Sequence, residues 1–447
     1  MRIVIGADEG RRTILRRQPL GDIELPESAQ ARIREVFGQN LSASEVVARV
    51  LRDVREQGDD AVLHYSEAFD GVRYSSLTVP AVEIQAAYDT VDPSLVADLR
   101  FAAERIRLFH QFEQERTLSD FQQGSLGVLV RPLQRVGVYA LGTAVVYPSS
   151  VLMTAIPAAV AGVDEMYMVS PIGPDGRVSP LKLVAADIAG VKGVFRASGA
   201  QALAALAFGT QTIPRVDKIC GPGNIFVTLA KQQLFGTVGI DAIYGPTETV
   251  VVADESADPT LCAADLLAQA EHDELATPIL ITPSKALAEK VAVEVEALLA
   301  GLERERIARS SLEKRGGAVI TTDLDEALTL ANEFAPEHMC LLVENAAVWA
   351  KKVCNAGGLF IGESSPEAIG DYTAGPSHVM PTGGSARFSS PLSVLDFLKI
   401  TNVVQIDDVE LRELGRPAAL IARAEGLTAH ARAIELRLEK LGREEGR

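Results

Sequence analysis

The 447-residue chain is poor in aromatic residues, at 5% with a single tryptophan, and it has only four cysteines and six histidines. Positive charge is also in deficit: 43 Lys and Arg face 60 Asp and Glu, a formal net charge of −17. That balance repels phosphate backbones, so nucleic acid is excluded as an expected partner. Long apolar runs are missing. None reaches the ~18 residues that a bilayer span needs, and the nearest, Val151 to Val163, is short and contains Pro157. No membrane partner is expected. The segment Met1-Arg2-Ile3-Val4 meets Asp8 and Glu9 at once, without a secretory h-region, so the expected location is the cytoplasm. Cys220, Cys262, Cys340 and Cys354 form no CxxC pair and lie in apolar stretches. Four buried free thiols are expected.

What is present is ordinary for a globular protein: 47% hydrophobic and 23% charged residues. This excludes a mostly disordered, collagen-like or coiled-coil chain, and the length implies two or more domains. The first third reads as helix. Ser42 to Asp70 carries Val46, Val47, Val50, Leu51, Val54, Ala61, Val62 and Tyr65 at helical spacing, with a break at Gly58-Asp59, and a second helix runs from about Pro93 to Glu115. From about residue 134, short strands and helices alternate. Strands are expected near Val136–Leu141, Met166–Ser170, Val194–Ala197 and Lys218–Cys220, then again near Val250–Ala253, Ile279–Thr282, Ala318–Thr321, Met339–Val343 and Leu359–Gly362. This rhythm predicts an α/β fold: two open, mostly parallel Rossmann-like sheets with a cleft between them, plus helical N-terminal and C-terminal segments. Ligands of such sheets are expected outside the carboxyl ends of the strands. After Ser390 the chain reads as helical and charged.

His64 and His110 sit in helical stretches of mixed polarity and read as structural. The other four histidines stand in polar settings. Asp258 is a good N-cap with Pro259 at the first helical position. On the helix that follows, Asp265, Gln269 and His272 share one face. Such a stripe could place an amide oxygen and an imidazole on one metal, or could be a solvated face with a histidine at the negative end of the dipole. In Ala335-Pro336-Glu337-His338-Met339, the proline stops a helix and a strand follows. Glu337 and His338 could serve separate proton transfers; a loop salt bridge is the plainer alternative. Glu367 to His378 is a Gly- and Pro-rich loop in which Asp371 could be a third zinc ligand, or in which the polar residues simply make turns. Glu425 and His430 read as the exposed first turns of an amphipathic helix that ends near Leu441. No GxGxxG fingerprint occurs. Two substitutes end strands: Gly137-Val138-Tyr139-Ala140-Leu141-Gly142-Thr143, and Gly221-Pro222-Gly223-Asn224, whose free N–H groups could hold a phosphate or form a tight βα turn.

Taken in order, Tyr147-Pro148-Ser149-Ser150-Val151-Leu152-Met153, Gly199-Ala200-Gln201-Ala202, Gly221-Pro222-Gly223-Asn224, Gln269-Ala270-Glu271-His272, Ala335-Pro336-Glu337-His338, Gly370-Asp371-Tyr372, His378-Val379-Met380-Pro381-Thr382-Gly383-Gly384 and Leu427-Thr428-Ala429-His430 resemble one family, histidinol dehydrogenase. The resemblance runs from about residue 40 to 440. It implies an NAD-dependent, zinc-containing enzyme that oxidises L-histidinol to L-histidine through the aldehyde, in two hydride transfers. It implies Gln269, His272, Asp371 and His430 as Zn2+ ligands, Glu337 and His338 as the acid–base pair, and Tyr139, Gln201 and Asn224 as NAD contacts. Thr247, His338 and Glu425 fall on substrate-contact positions, with Glu367 and His378 nearby and the metal ligands also touching substrate. The family is a homodimer whose C-terminal segment reaches the partner's site. The implied domains are an arm over 1–26, a discontinuous α/β domain over 27–135 and 248–392 with most of the catalytic and metal site, an α/β NAD-binding domain over 136–247, and a helical dimerisation segment over 393–447.

The chain departs from the family at three places. Ala140-Leu141-Gly142-Thr143 replaces a Pro-Gly-Gly run near the cofactor. Thr247 stands where serine is usual, and Tyr244 where a small residue is usual. The rival expectation is a paralogue acting on another alcohol such as a sulfopropanediol, against which Glu425 speaks because a carboxylate repels a sulfonate.

Overall fold

The computed structural model describes residues 1–17, 25–71, 76–142, 145–173 and 175–445. Part of the arm and Thr143 of the altered loop therefore lie outside the described residues. Contacts divide the chain into two compact units, Met1–Glu115 with Leu133–Phe397, and Arg116–Pro132 with Leu398–Arg447.

The first unit is built on two parallel sheets. Their strands are near-continuous apolar runs because helices cover both faces; in Glu248–Ala253 every residue is buried. Among the described residues the larger sheet has the order Ile3–Ile5, Gly317–Ile320, Thr277–Thr282, Glu248–Ala253, His338–Leu342, Gly358–Ile361. The smaller has the order Gly193–Arg196, Glu165–Ser170, Arg135–Tyr139, Lys218–Cys220, Gly239–Ile240. All pairings within both are parallel, with registers such as His338 opposite Thr249 and Val138 opposite Cys220. Leaving aside the edge strand Ile3–Ile5, both sheets share one topology. The second and third strands in chain order lie to one side of the first, and the fourth and fifth to the other. Each sheet therefore has a switch point between its first and fourth strands, where crossovers leave in opposite directions and open a crevice at the carboxyl ends.

Local sequence explains the helices. Ser42 and Glu45 form a capping box that starts Ala43–Gln57, and the apolar face Val46, Val47, Val50, Leu51 and Val54 is buried. Gly58, at φ 62°, then breaks the chain before Asp59–Asp70. Asp258 accepts from the Thr260 amide and Pro259 opens Pro259–Ala270. Helix Gly199–Phe208 is buried from Ala200 to Ala207 against the smaller sheet. Each fully buried Leu or Ile in these layers contributes about 1.5–3 kcal/mol.

The second unit differs from the helical expectation. Leu398–Val404 pairs antiparallel with Leu126–Pro132, which also pairs with Phe121–Gln123. These strands are largely exposed, so no apolar alternation marks them, and their main partner lies far off in sequence. The helices Asp408–Ala424 and Thr428–Glu445 pack through Ala419, Ala422, Ala431 and Ile434. Gly415 lies close to Ile434 and Leu438, and a Cβ there would stand 3.2 Å from each. The amphipathic helix expected to begin at Glu425 starts instead at Thr428 and runs to Glu445, while Glu425 caps the preceding helix and Gly426 turns the chain between them. No helix among the described residues is long and apolar enough to cross a membrane. Cys220, Cys262 and Cys340 are buried free thiols as expected, whereas Cys354 is exposed.

Candidate active site

The larger sheet presents its polar groups at the amino ends of its strands, not at the carboxyl ends where ligands were expected. Thr247 immediately precedes Glu248–Ala253, Glu337 precedes His338–Leu342, and His338 opens that strand. Because the strand begins only at His338, alternation does not separate the pair. The Glu337 carboxylate comes within 3.7 Å of His338 Nδ1. The turn that allows this is made by Ala335 at φ 50° and by Pro336, which end helix Leu324–Phe334.

Glu248 ties both groups down through its backbone. Its N–H donates to Glu337 Oε2 at 3.2 Å, and its carbonyl faces His338 Nδ1 at 3.3 Å. Its own carboxylate is paired with Arg17 at 2.5 Å and 2.9 Å, and the Arg17 guanidinium lies 3.7 Å over the Phe334 ring. The Thr247 hydroxyl lies 2.7 Å from Gln269 Oε1 and 2.5 Å from Glu337 Oε2. One hydroxyl proton cannot serve two acceptors at once. Burial, opposed by His338, raises the Glu337 pKa to about 7.

His338 is the hub. Gln269 Nε2 lies 3.4 Å and Asp371 Oδ1 3.5 Å from its Nε2, and Phe360 stacks on the ring at 5.9 Å. Burial works against its charged form, but Glu337, Asp371 and Glu367 outweigh it and raise the pKa. Asp371 shows the converse. Burial would raise its pKa, yet the bond to His338 and the charges of His338, His378 and His272 lower it. Glu367 opens the helix Glu367–Tyr372 and is fully buried. Its Oε2 accepts from the Thr249 hydroxyl at 2.8 Å and faces the Cys340 thiol at 3.6 Å, while its Oε1 has no partner. Burial pushes this carboxyl up to about 7. His378 Nδ1–H donates to the Asp371 carbonyl at 2.8 Å, leaving Nε2 to accept from the Ser150 hydroxyl at 3.0 Å.

Thr247, Gln269, Glu337, His338, Glu367, Asp371 and His378 are thus gathered in one place, with His272 close enough to act on Asp371. His272 is not on the helical stripe: the helix ends at Ala270, and the histidine follows its cap. Glu425 and His430 belong to the second unit and are exposed. Among the described residues no group of three or more His, Cys, Asp and Glu side chains is arranged to hold a metal. His64 is exposed; His110 is buried and bonds Glu113 at 2.9 Å.

Tyr139 ends the strand Arg135–Tyr139, and Gln201 and Asn224 follow the strands Gly193–Arg196 and Lys218–Cys220, so all three lie at carboxyl ends of the smaller sheet. The Tyr139 hydroxyl accepts from the Gly199 N–H at 3.1 Å. Gln201 is buried in the first turn of Gly199–Phe208. Asn224 caps Ile225–Leu234, its Oδ1 accepting from the amides of Phe226 and Val227. Gly221, at φ 115°, lies so close to Tyr139 that a Cβ would stand 2.5 Å from its carbonyl oxygen. Tyr244 is buried with its ring 4.8 Å from the Lys231 ammonium, which accounts for a large residue at that place.

Three polar residues escaped the reading of motifs: Glu248, Lys182 and Asp241. Glu248 heads a mostly apolar strand, and Lys182 stands among apolar residues near the start of its helix, whose other charge is Asp187. In both cases an isolated charge in an apolar run was the available signal.

A family profile described as histidinol dehydrogenase matches residues 35–438. The chain is 49% identical to the histidinol dehydrogenase of Deinococcus radiodurans over 442 residues, covering 98% of this chain and 100% of that one. It is likewise 49% identical to that of Thermus thermophilus over 397 residues, covering 89% and 95%. The crystal structure of histidinol dehydrogenase from Elizabethkingia anophelis superposes with a TM-score of 0.89 at 31% identity, covering 99% of each chain. With identity of this extent over nearly the full length, the chain belongs to the histidinol dehydrogenase family.

Proposed function

We propose that this protein oxidises L-histidinol to L-histidine through the aldehyde, with two NAD molecules as successive oxidants, Zn2+ as bound metal, and sites shared between two copies of the chain. The observation that carries this reading is the convergence of Glu337 and His338 with Gln269 and Asp371 on one buried site. The donor chemistry fits a zinc ion: an amide and a carboxylate reach the same His338 nitrogen, and the imidazole of His272 acts on that carboxylate. Gln269, His272 and Asp371 would hold the metal together with His430 of a second copy, in which Glu425 would meet the substrate ammonium. When bound, zinc supplies a template for the substrate's nitrogens and eases loss of the alcohol proton. The glycine turns at the switch point of the smaller sheet, beside Tyr139, Gln201 and Asn224, fit a dinucleotide at the amino end of Ile225–Leu234. When bound, NAD supplies the hydride acceptor for each oxidation.

The residues divide the proton work. His338 accepts the hydroxyl proton as hydride leaves the carbinol carbon, and the surrounding carboxylates stabilise the imidazolium that forms. The aldehyde stays in place, away from side reactions. Glu337, held by Thr247 and the Glu248 N–H, then accepts a proton from water as the water oxygen bonds to the aldehyde carbon, and the His338 imidazolium returns its proton to the carbonyl oxygen, giving the hydrate and a neutral imidazole. His338 accepts the hydrate's hydroxyl proton as the second hydride departs, leaving the carboxylate. Glu367 and His378 offer polar partners to the substrate's imidazole. The test is NADH formation by the zinc-loaded protein. Two NADH per L-histidinol are expected. No absorbance rise would remove the reading, and a rise with dihydroxypropanesulfonate alone would select the paralogous activity.

A further inference from the structure

Lys182 is an expensive residue. It lies in the first turn of Pro180–Ala189 and is 1% exposed. A cation there is out of water and at the positive end of a helix dipole, both unfavourable. No carboxylate bonds it among the described residues. Its ammonium instead donates to the carbonyls of Ala140, at 3.2 Å, and Gly142, at 2.6 Å, and to the Ser170 hydroxyl, at 3.3 Å. Ala140 to Gly142 is the turn leaving the first strand of the smaller sheet, on one lip of the switch point. It is also the turn where this chain departs from the family's Pro-Gly-Gly run. The opposite lip is clamped differently. Lys231 donates to the Gly221 carbonyl at 2.5 Å but is neutralised by Asp241, whose other oxygen accepts from the Gly221 N–H at 2.7 Å. One lip therefore carries a neutral clamp and the other a net buried charge.

We propose that Lys182 is a positioning residue of the dinucleotide site: its ammonium shapes the Ala140–Gly142 turn, and its unbalanced charge is completed by the cofactor's pyrophosphate. The proposal rests on the NAD reading above. It accounts for a rigid proline and a glycine being dispensable here, because three charge-assisted hydrogen bonds fix the turn instead. Linkage makes the effect reciprocal: a bound dianion favours the ammonium, and the ammonium favours the dianion. Among the described residues no charged group bears on its titration. Helix Pro148–Ala161, packed on the same helix, has no charged residue. On the side facing Ala81–Thr90 and Pro93–Glu115, Asp187 bonds the Tyr88 hydroxyl at 2.6 Å, and Arg100 lies over the Tyr88 ring. Burial alone sets the ammonium, pushing it down to about 8.

The experiment is a titration of the zinc-loaded protein with NAD, without histidinol, from pH 7 to 9, on wild type and Lys182→Met. Wild-type Kd is expected to rise about fivefold between pH 8 and 9, as the free ammonium deprotonates. Lys182→Met is expected to show a pH-independent Kd raised about tenfold, with KM for NAD raised alike and kcat and KM for histidinol unchanged. Lys182→Arg, which keeps the charge, should recover part of the affinity. A pH-independent wild-type Kd would overturn the proposal even if the variants fail to fold, and so would an unaltered KM for NAD in Lys182→Met. Absence of any NAD binding by wild type would instead remove the NAD reading, and this inference with it.

Discussion

The two sheets of the first unit share a strand order and therefore a switch point, yet they are equipped in opposite ways. In the smaller sheet the crevice between Arg135–Tyr139 and Lys218–Cys220 is lined by turns with Gly142 at φ 91° and Gly221 at φ 115°. In the larger sheet the corresponding crevice is bridged by a carboxylate. Asp254, just past Glu248–Ala253, accepts from the Glu344 N–H at 2.9 Å and from the Ser256 N–H at 3.0 Å. A carboxylate bonded across the switch point occupies two of its N–H donors and repels a phosphate. The larger sheet's polar chemistry moves to the other edge, where Thr247, Glu337 and His338 gather. Topology thus offers a place for a ligand, but the residues at the turns decide whether it is used.

Substitutions can break this comparison. The largest effect is expected at the amino edge of the larger sheet. Glu337→Gln should permit the first oxidation and lower the second by about 10²–10⁴-fold, the usual worth of a general base. Aldehyde trapping by semicarbazide in a rapid-quench assay checks this, and full conversion to histidine at the normal rate would refute the role. Gly221→Ala puts a Cβ against the Tyr139 carbonyl at a φ that alanine resists. It should raise KM for NAD at least about tenfold, reflecting about 1–3 kcal/mol of strain. The matched change in the other sheet, Asp254→Ala, should leave KM for NAD unchanged and lower stability by about 1 kcal/mol through lost hydrogen bonds. Equal effects of these two substitutions on KM for NAD would erase the distinction between the crevices. His430→Ala should lower zinc content by metal analysis. The smallest change is expected for Thr247→Ser, which keeps the hydroxyl between Gln269 and Glu337, with kcat within about threefold of wild type.

The parallel sheets were legible because strands buried on both faces are written as continuous apolar runs. Thr249 to Ala253 and Ile279 to Thr282 stand out in this way. The strands Leu126–Pro132 and Leu398–Val404 were not legible. Their residues are mostly exposed, and hydrogen bonds to a segment far away in sequence hold them. The Glu337–His338 pair was visible as Pro336-Glu337-His338, but its place at the amino edge was not, since a strand's first residue is set by its neighbours' register. His272 was assigned to a helix that stops two residues earlier, because Gln269 and Glu271 continue the helical pattern without a local stop signal. Lys182 was passed over as one charge in an apolar segment. Its meaning appears only when the Ala140–Gly142 carbonyls are seen around it.

The most direct test is a crystal structure of the zinc-loaded protein with NAD and L-histidinol. The dinucleotide should lie across the carboxyl ends of Arg135–Tyr139 and Lys218–Cys220, with the alcohol between it and His338. Density for the dinucleotide at the carboxyl ends of Glu248–Ala253 and His338–Leu342, over Asp254, would contradict the account.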